Sequence, residues 1–300
     1  MRRAASDWMG GAGDPESGGC RHRTEGEQVQ GRVEPWLRVV VVGTIAIVTL
    51  YPLVLLLSTA LQAPGAQGLG SLFGHLSLAS FGYAWREGDF STYTLNTAII
   101  TVAVVVPPAF CAILASFGIA QLKPAGSRVV LIVAILGFML PTEALLIPWY
   151  YQMSSYGLLN TYLAMILPQA AQGVAFGVFW MTVAFRAFPV SLIEAAVLDG
   201  ASRWQVLWRV AVPNVGPAIR TMCALMFLWT WNSFLLPLVM ISDPARNVVT
   251  VGLATFEGAR FNDLGPLAAG SIIAAFPVVL VYIFLQRSFI AGMFAGSLVE

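Results

Sequence analysis

The chain has 300 residues, of which 58% are hydrophobic and 10% are charged, with a formal net charge of +1 and a mean hydropathy of +0.77. Soluble domains usually carry about a quarter charged residues, so this composition excludes an ordinary soluble protein and indicates a membrane protein. The sequence contains no basic patch with interleaved aromatic residues, so we expect no nucleic-acid binding.

The first 35 residues are rich in glycine, mixed in charge and poor in aliphatic side chains. Such a segment cannot bury enough apolar surface to fold, so residues 1–35 are predicted to form a disordered cytoplasmic tail. The segment also lacks the apolar core of a signal peptide.

Six long apolar runs follow the tail, and each can cross a hydrocarbon core, which takes about 20 helical residues. Barrel strands would be about 10 residues of alternating polarity, whereas these runs are continuous and longer. An all-α polytopic membrane protein with six transmembrane helices is therefore predicted. The runs are Val39–Leu61, Ser91–Leu122, Val129–Tyr150, Leu158–Phe185, Thr221–Ser242 and Leu264–Gln286.

Basic residues near the span ends predict the orientation, because cytoplasmic loops are enriched in lysine and arginine. With a cytoplasmic amino terminus, nine such residues lie on the cytoplasmic side and three lie outside. Both termini, and the loop between the fourth and fifth spans, are therefore predicted to be cytoplasmic. The nine are Arg32, Arg38, Lys123, Arg128, Arg186, Arg203, Arg209, Arg220 and Arg287, and the three are Arg86, Arg246 and Arg260.

The loop EAAVLDGASRWQVLWRVAVPN, residues 194–214, is amphipathic and unlike the apolar runs on either side. Ser191–Glu194 and Ser202–Gln205 both have the spacing of a capping box, which starts a helix. Gly200 lies between them and is typical of a helix stop, so we predict two short helices joined by a glycine turn, the second ending at Pro213. The apolar stripe predicted for the second helix is Trp204, Leu207, Trp208 and Ala211.

Residue chemistry leaves two interpretations of this hairpin open. It can be an interfacial anchor, with Trp204 and Trp208 at the lipid headgroups and Arg203 and Arg209 near lipid phosphate. It can also be a rigid docking element that passes force between a cytoplasmic partner and the helix bundle.

Glu143 is the only charge within the six runs, and an ionisable group at membrane depth is a functional candidate that should face the protein interior. For Glu143, structural pairing with polar groups of a neighbouring span and a role in lining or gating a cavity both fit.

Trp231 and Asn232, midway along the fifth run, suit the ring face and hydroxyls of a sugar, although Asn232 fits helix–helix hydrogen bonding equally well. Gly173 and Gly177 form a GxxxG pattern that permits close helix packing.

The sequence contains no Walker-type glycine loop, catalytic triad or cluster of metal ligands. No catalytic residue, metal site or cofactor is therefore predicted, and we expect that the chain does not hydrolyse ATP. Cys20, Cys111 and Cys223 have neither disulfide nor metal-binding spacing.

The pattern EAA, three residues, G and then about a dozen residues to a proline resembles the EAA loop of ATP-binding-cassette importer permeases. Further segments resemble the MalG-like permeases of maltose-type carbohydrate importers, in the same order, over residues 37–300. These segments are TLNTAII with Asn96, PTEALLIPWY at 141–150, YGLLNTYLAMILP at 156–168, WNSFLLPL at 231–238, SDP at 242–244, VGL at 251–253 and QRSFIAGMFAG at 286–296.

This resemblance implies an inner-membrane permease that imports a carbohydrate by alternating access while a separate subunit hydrolyses ATP. It implies as partners a second, MalF-like permease, two copies of the ATPase subunit and an extracytoplasmic sugar-binding lipoprotein. It also implies a coupling helix that docks into the ATPase. Glu143, Trp231 and Asn232 are candidates for the translocation pathway on their residue chemistry, whereas the resemblance implies that the partner permease makes most of the sugar contacts. The coupling residues carried over are Glu194, Ala195 and Ala196 at the helix start and Asp199, Gly200 and Ala201 at its turn.

The resemblance also implies the domain organisation. A permease domain is expected at 91–286 with its coupling loop at 187–213, preceded by a first helix and external loop at 36–90 and followed by a cytoplasmic tail at 287–300. Three other classes stay open: a multi-span enzyme acting on a lipid-linked substrate, a permease for a non-sugar solute, and a self-sufficient secondary transporter.

Overall fold

The structure is a computed structural model that describes residues 35–62, 76–259 and 264–294. Every regular element within these ranges is helical. The predicted disordered tail lies outside the described residues except for Pro35, as do the last six residues of the predicted carboxyl-terminal tail. Both interpretations stay predictions.

The chain divides into two compact units, Met1–Tyr51 and Pro52–Glu300, with the boundary inside the first helix, α1 (Pro35–Ala60). In the part of α1 that belongs to the first unit, apolar side chains are largely exposed, and Val39 is 72% exposed. A 26-residue helix with an apolar surface of this kind is stable in lipid and not in water.

The second unit contains the remaining helices, several of them short. They are α2 (Ala79–Arg86), α3 (Phe90–Phe117) with a π-helical end at Gly118–Leu122, α4 (Ser127–Met139), α5 (Thr142–Ser155), α6 (Tyr162–Arg186), α7 (Val190–Leu198), α8 (Arg203–Gln205), a π-helical segment at Val206–Ala211, α9 (Val212–Asn214), α10 (Gly216–Trp231), α11 (Leu235–Met240), a 3-10 helix at Pro244–Arg246, α12 (Val249–Ala259) and α13 (Leu264–Phe294).

Within the described ranges, four helices are long and apolar enough to cross a membrane, and the number rises to six if each of two bent helix pairs counts as one span. The all-α polytopic prediction is therefore confirmed. The predicted count of six is reached only with the bent pairs, and the second of these pairs includes residues 203–214 of the predicted cytoplasmic loop, so it does not coincide with the predicted fifth span, Thr221–Ser242. The four are Trp36–Ala60, Phe90–Leu122, Tyr162–Arg186 and Leu264–Gln286, and the pairs are Ser127–Met139 with Thr142–Ser155 and Arg203–Asn214 with Gly216–Trp231.

The predicted third span is not one straight helix. It consists of α4 and α5, which meet at 98°. Leu140 and Pro141 between them are both extended, with ψ of 125° and 132°. A residue before proline is sterically disfavoured in the helical conformation, so Pro141 imposes the break through Leu140.

The predicted fifth span is also interrupted. Helix α10 ends at Trp231, and α11 begins only at Leu235. Pro237 has no N–H and so cannot donate to the carbonyl four residues earlier, that of Ser233. The Thr250 hydroxyl donates to this carbonyl instead, at 2.6 Å, which satisfies the freed backbone group, as a lipid environment requires.

The predicted close packing at the GxxxG pattern is confirmed, because α6 packs along α3 through these glycines. A Cβ atom added at Gly173 would lie 3.4 Å from the Pro108 Cβ, and one at Gly177 would lie 2.6 Å from the Ala112 Cβ. Without side chains at these two positions, the two helix backbones approach closely.

Replacing Gly177 with alanine is therefore expected to destabilise the fold by roughly 1–3 kcal/mol, the usual cost of overpacking a filled core. Gly43→Ala is the matched control, because it places the same methyl group where nothing lies within 4 Å. Denaturation of the purified protein in detergent micelles measures both. Equal stability of the two variants would contradict the packing account.

Candidate functional site

The hairpin at Val190–Asn214 turns at Gly200, as predicted. Helix α7 is closed by the N–H of Gly200 donating to the Val197 carbonyl at 3.0 Å and the N–H of Ala201 donating to the Ala196 carbonyl at 2.9 Å. This pair of bonds is the Schellman motif, which places a left-handed residue at the turn. Gly200 has φ of +83°, a conformation that side chains beyond glycine adopt only with strain.

Of the two predicted capping boxes, one is confirmed. The Gln205 N–H donates to the Ser202 hydroxyl at 3.3 Å, and the Ser202 N–H donates to the Gln205 side-chain oxygen at 2.8 Å. The box at Ser191–Glu194 is wrong, because α7 starts at Val190, two residues before the start that this box predicts, and no side chain caps it. Pro189, which has extended φ and ψ, sets that start, so Glu194 is left without its predicted capping role.

The second half of the hairpin is π-helical rather than α-helical, which alters the predicted stripe. Leu207 and Ala211 are buried and Trp208 is half-buried, but Trp204 is 59% exposed and Val206 takes the remaining inner position. In a π-helix the backbone hydrogen bonds join residues five apart, so each helical turn contains more residues than in an α-helix. Residues chosen at α-helical spacing therefore do not all lie on the buried face. Helical structure also continues past Pro213 to Asn214.

The hairpin has two faces of different character. Ile193, Ala196 and Ala201 pack against the buried core between α3, α6 and α10. On the side of α7 away from Ile193, Leu198 is 87% exposed, and Val197, one turn after Ile193, is also 52% exposed. Of the predicted coupling residues, Glu194, Ala195, Asp199 and Gly200 lie exposed, and Ala196 and Ala201 are half-buried.

Glu143 lines a cavity of about 380 Å³ that is formed by the α4–α5 break together with α3, α6, α10 and α11. Gln172 also lines this cavity, and its side-chain amide donates to the Thr142 hydroxyl at 3.3 Å. Glu143 is exposed and belongs to the first turn of α5, where the helix dipole favours a negative charge. Within the described part of the chain, Glu143 makes none of the predicted hydrogen bonds to a neighbouring span.

The structure separates the two predicted residues of the fifth span. Asn232 is exposed and lines a cleft next to the cavity, and Glu143 lines both. Trp231 is 5% exposed, and its indole N–H donates to the Ala274 carbonyl of α13 at 3.0 Å. Trp229, which the sequence analysis did not select, is 50% exposed and lines both the cavity and the cleft.

A buried asparagine joins three parts of the second unit. The Asn96 side chain of α3 donates to the carbonyls of Ala245 and Asn247, at 3.0 and 2.9 Å. Its side-chain oxygen accepts from the Tyr162 hydroxyl of α6 at 2.7 Å. The TLNTAII segment predicted no role for Asn96, because its partners are 66 to 151 residues away along the chain.

A second asparagine binds the same loop, which follows α11. Asn160 is left-handed, with φ of +61°, and its N–H donates to the Met240 carbonyl at 3.0 Å. Its side-chain oxygen accepts from the N–H groups of Ser242 and Asp243. The quoted segments YGLLNTY and SDP therefore form one connected structure.

A model of the family described as binding-protein-dependent transport system inner membrane component matches residues 109–294. The match covers more than half of the chain and includes the hairpin, the cavity and α13. The chain belongs to this family. It is therefore a multi-pass inner-membrane permease, as the sequence analysis expected.

Curated relatives cover most of the permease. It is 27% identical over 257 residues to the diacetylchitobiose uptake system permease protein NgcG of Streptomyces coelicolor, a match covering 84% of this chain and 85% of that protein. It is 33% identical over 218 residues to the probable ABC transporter permease protein YurM of Bacillus subtilis, covering 73% and 72%.

Among solved structures, the permease resembles a chain of a bacterial ABC transporter involved in the import of the acidic polysaccharide alginate. The TM-score is 0.73 at 24% identity, and the match covers 84% of this chain and 95% of the other. This likeness shows the fold, and it confirms the predicted importer-permease architecture.

Proposed function

We propose that this permease is the transmembrane subunit of an ATP-driven importer that carries an oligosaccharide or sugar derivative into the cytoplasm by alternating access. The observation that carries the proposal is the hairpin: a rigid glycine-turn element that is packed into the bundle on one face and exposes apolar side chains on the other. The printed names of the diacetylchitobiose and alginate transporters support a carbohydrate as the cargo.

The exposed face of α7 is proposed to dock an ATPase subunit on the cytoplasmic side. Leu198 and Val197 offer an apolar anchor, and Glu194 and Asp199 offer charges at its rim, which is the usual anatomy of a protein interface. Because Ile193 on the other face is packed against the core, a displacement of α7 is passed directly to the spans. The full assembly would contain two ATPase copies, a second MalF-like permease and an extracytoplasmic sugar-binding lipoprotein.

The cavity beside Glu143 is proposed as part of the sugar pathway. Trp229 supplies an aromatic face, which suits the apolar side of a sugar ring, and Gln169 and Gln172 supply amides that can bond to hydroxyls. Asn232 and Glu143 extend this polar lining into the adjacent cleft. Trp231 is not among the residues that line the cavity. Its proposed contribution is to fix α10 to α13 through its hydrogen bond to the Ala274 carbonyl.

A pair of tryptophan variants tests this pathway. Trp229→Leu is expected to lower sugar uptake by about two- to twelvefold at little cost in stability, because an aromatic contact contributes about 0.5–1.5 kcal/mol. Trp231→Leu is expected to lower stability, because it breaks a buried bond between α10 and α13. Uptake into proteoliposomes is measured with a sugar chosen by thermal-shift screening of the cognate binding protein. Normal uptake by Trp229→Leu would remove the cavity from the pathway.

A further inference from the structure

Three basic side chains share a cleft of about 620 Å³ at the end of α4 opposite to Glu143. Lys123 lies in the turn after α3, Arg128 is in the first turn of α4, and Arg186 is the last residue of α6. The residues that line the cleft include no aspartate or glutamate. Within the described part of the chain, none of the three cations forms an ion pair, since the salt bridge found there joins Arg246 and Asp243.

Two hydrogen bonds fix the chain segments that carry Lys123 and Arg186. The Gln121 side chain donates to the Phe185 carbonyl at 2.6 Å and ties the end of α3 to the end of α6. Lys123 is left-handed, with φ of +46°, and its N–H donates to the Gly118 carbonyl at 3.0 Å. The cleft is therefore a formed feature of the fold, and its like charges favour an anion as occupant.

The surface beside the cleft is apolar and exposed. From Arg128 onward, α4 exposes Val129, Ile132 and Val133 at 63%, 46% and 62%, and Leu131, Ile132 and Ile135 line the cleft itself. A free inorganic anion would use only the basic end of this site. A molecule with an anionic head and hydrocarbon chains would use both parts.

We propose that this cleft binds the headgroup of an anionic phospholipid, with its acyl chains lying along α4. Basic pockets between membrane helices on the cytoplasmic side favour such headgroups, and the orientation predicted from the basic residues places the cleft on that side. Val190, the first residue of α7, lines the same cleft. A bound lipid therefore contacts the base of the hairpin, and the anionic lipid content of the membrane affects how the hairpin moves.

The test measures lipid binding to the assembled importer directly, by native mass spectrometry during titration with phosphatidylglycerol. Lys123→Gln, Arg128→Gln and Arg186→Gln are each expected to weaken binding by about fivefold, which corresponds to about 1 kcal/mol per basic residue at an anionic surface. Arg38→Gln is the control, because it makes the same charge change outside the cleft lining, and it should leave the affinity unchanged.

Three results would overturn the proposal. The first is unchanged phosphatidylglycerol affinity in all three variants. The second is equally strong competition by inorganic phosphate, which would make the cleft a site for a free anion. The third is loss of the ATPase subunit from the variants in lipid-free detergent, which would make the cations part of a protein interface. Because binding is measured without transport, these outcomes do not depend on whether the cargo is a sugar.

Discussion

Gly200→Val is expected to leave the permease inserted in the membrane but to lower both ATPase association and ATP-driven uptake by about 5- to 30-fold. Gly200 has φ of +83°, and a residue with a Cβ in the left-handed conformation costs roughly 1–2 kcal/mol, which corresponds to that range. The turn would relieve this strain by breaking the bonds that close α7. The second half of the hairpin would then shift relative to the first, and the docking face would lose its geometry.

Gly157→Val is the matched control for this experiment. Gly157 also has positive φ, +67°, and open space around its Cα, as Gly200 does, but it lies in the turn between α5 and α6. Co-purification of the ATPase and sugar uptake are measured for both variants. The coupling account predicts that only Gly200→Val loses the ATPase, and equal behaviour of the two variants would reduce the effect to general backbone strain.

Asn96→Ala is expected to destabilise the permease by about 3 kcal/mol, the largest effect on stability that we anticipate from a single residue. The change leaves the Tyr162 hydroxyl and the carbonyls of Ala245 and Asn247 without their partner. Each buried polar group left unpaired costs about 1–3 kcal/mol. Denaturation in detergent micelles is the measurement.

Asn214→Ala provides the comparison for Asn96. The Asn214 side chain is exposed and donates only to the Val210 carbonyl of its own helical segment, at 2.7 Å. Such a bond is replaced by water, so a change of less than about 0.5 kcal/mol is expected. If the Asn96→Ala and Asn214→Ala variants were equally stable, the hydrogen bonds of Asn96 would not contribute to the stability of the fold.

Local patterns predicted the features that depend on neighbouring residues. The apolar runs predicted membrane helices, and Gly200 and the Ser202–Gln205 box predicted the hairpin turn and the start of its second helix, because both are determined by residues within one helical turn. The GxxxG pattern predicted a packing face for the same reason. The partner of that face, α3, could not be predicted, because helix pairing depends on the whole fold.

Features that depend on distant or competing interactions were missed. The box at Ser191–Glu194 failed because Pro189, two residues before Ser191, is the N-cap of α7. Trp231 was selected as a pathway residue because an aromatic beside an amide suits a sugar. In the structure, Trp229 and Trp231 lie on different sides of α10, so that Trp229 lines the cavity and Trp231 contacts α13. The angle around a helix at which a cavity opens is set by its neighbours, and no single-sequence pattern records it.

The central claim, that the exposed face of α7 docks an ATPase, is tested most directly by photocrosslinking from Leu198, which is 87% exposed. A benzophenone amino acid is placed there in the native membrane, and Ile193, which packs against the core, is the control position. The account predicts that the Leu198 probe forms an adduct with a protein containing a Walker-type nucleotide-binding sequence, and that the Ile193 probe does not. Adducts with lipid alone from Leu198 would contradict it and make the hairpin a surface anchor.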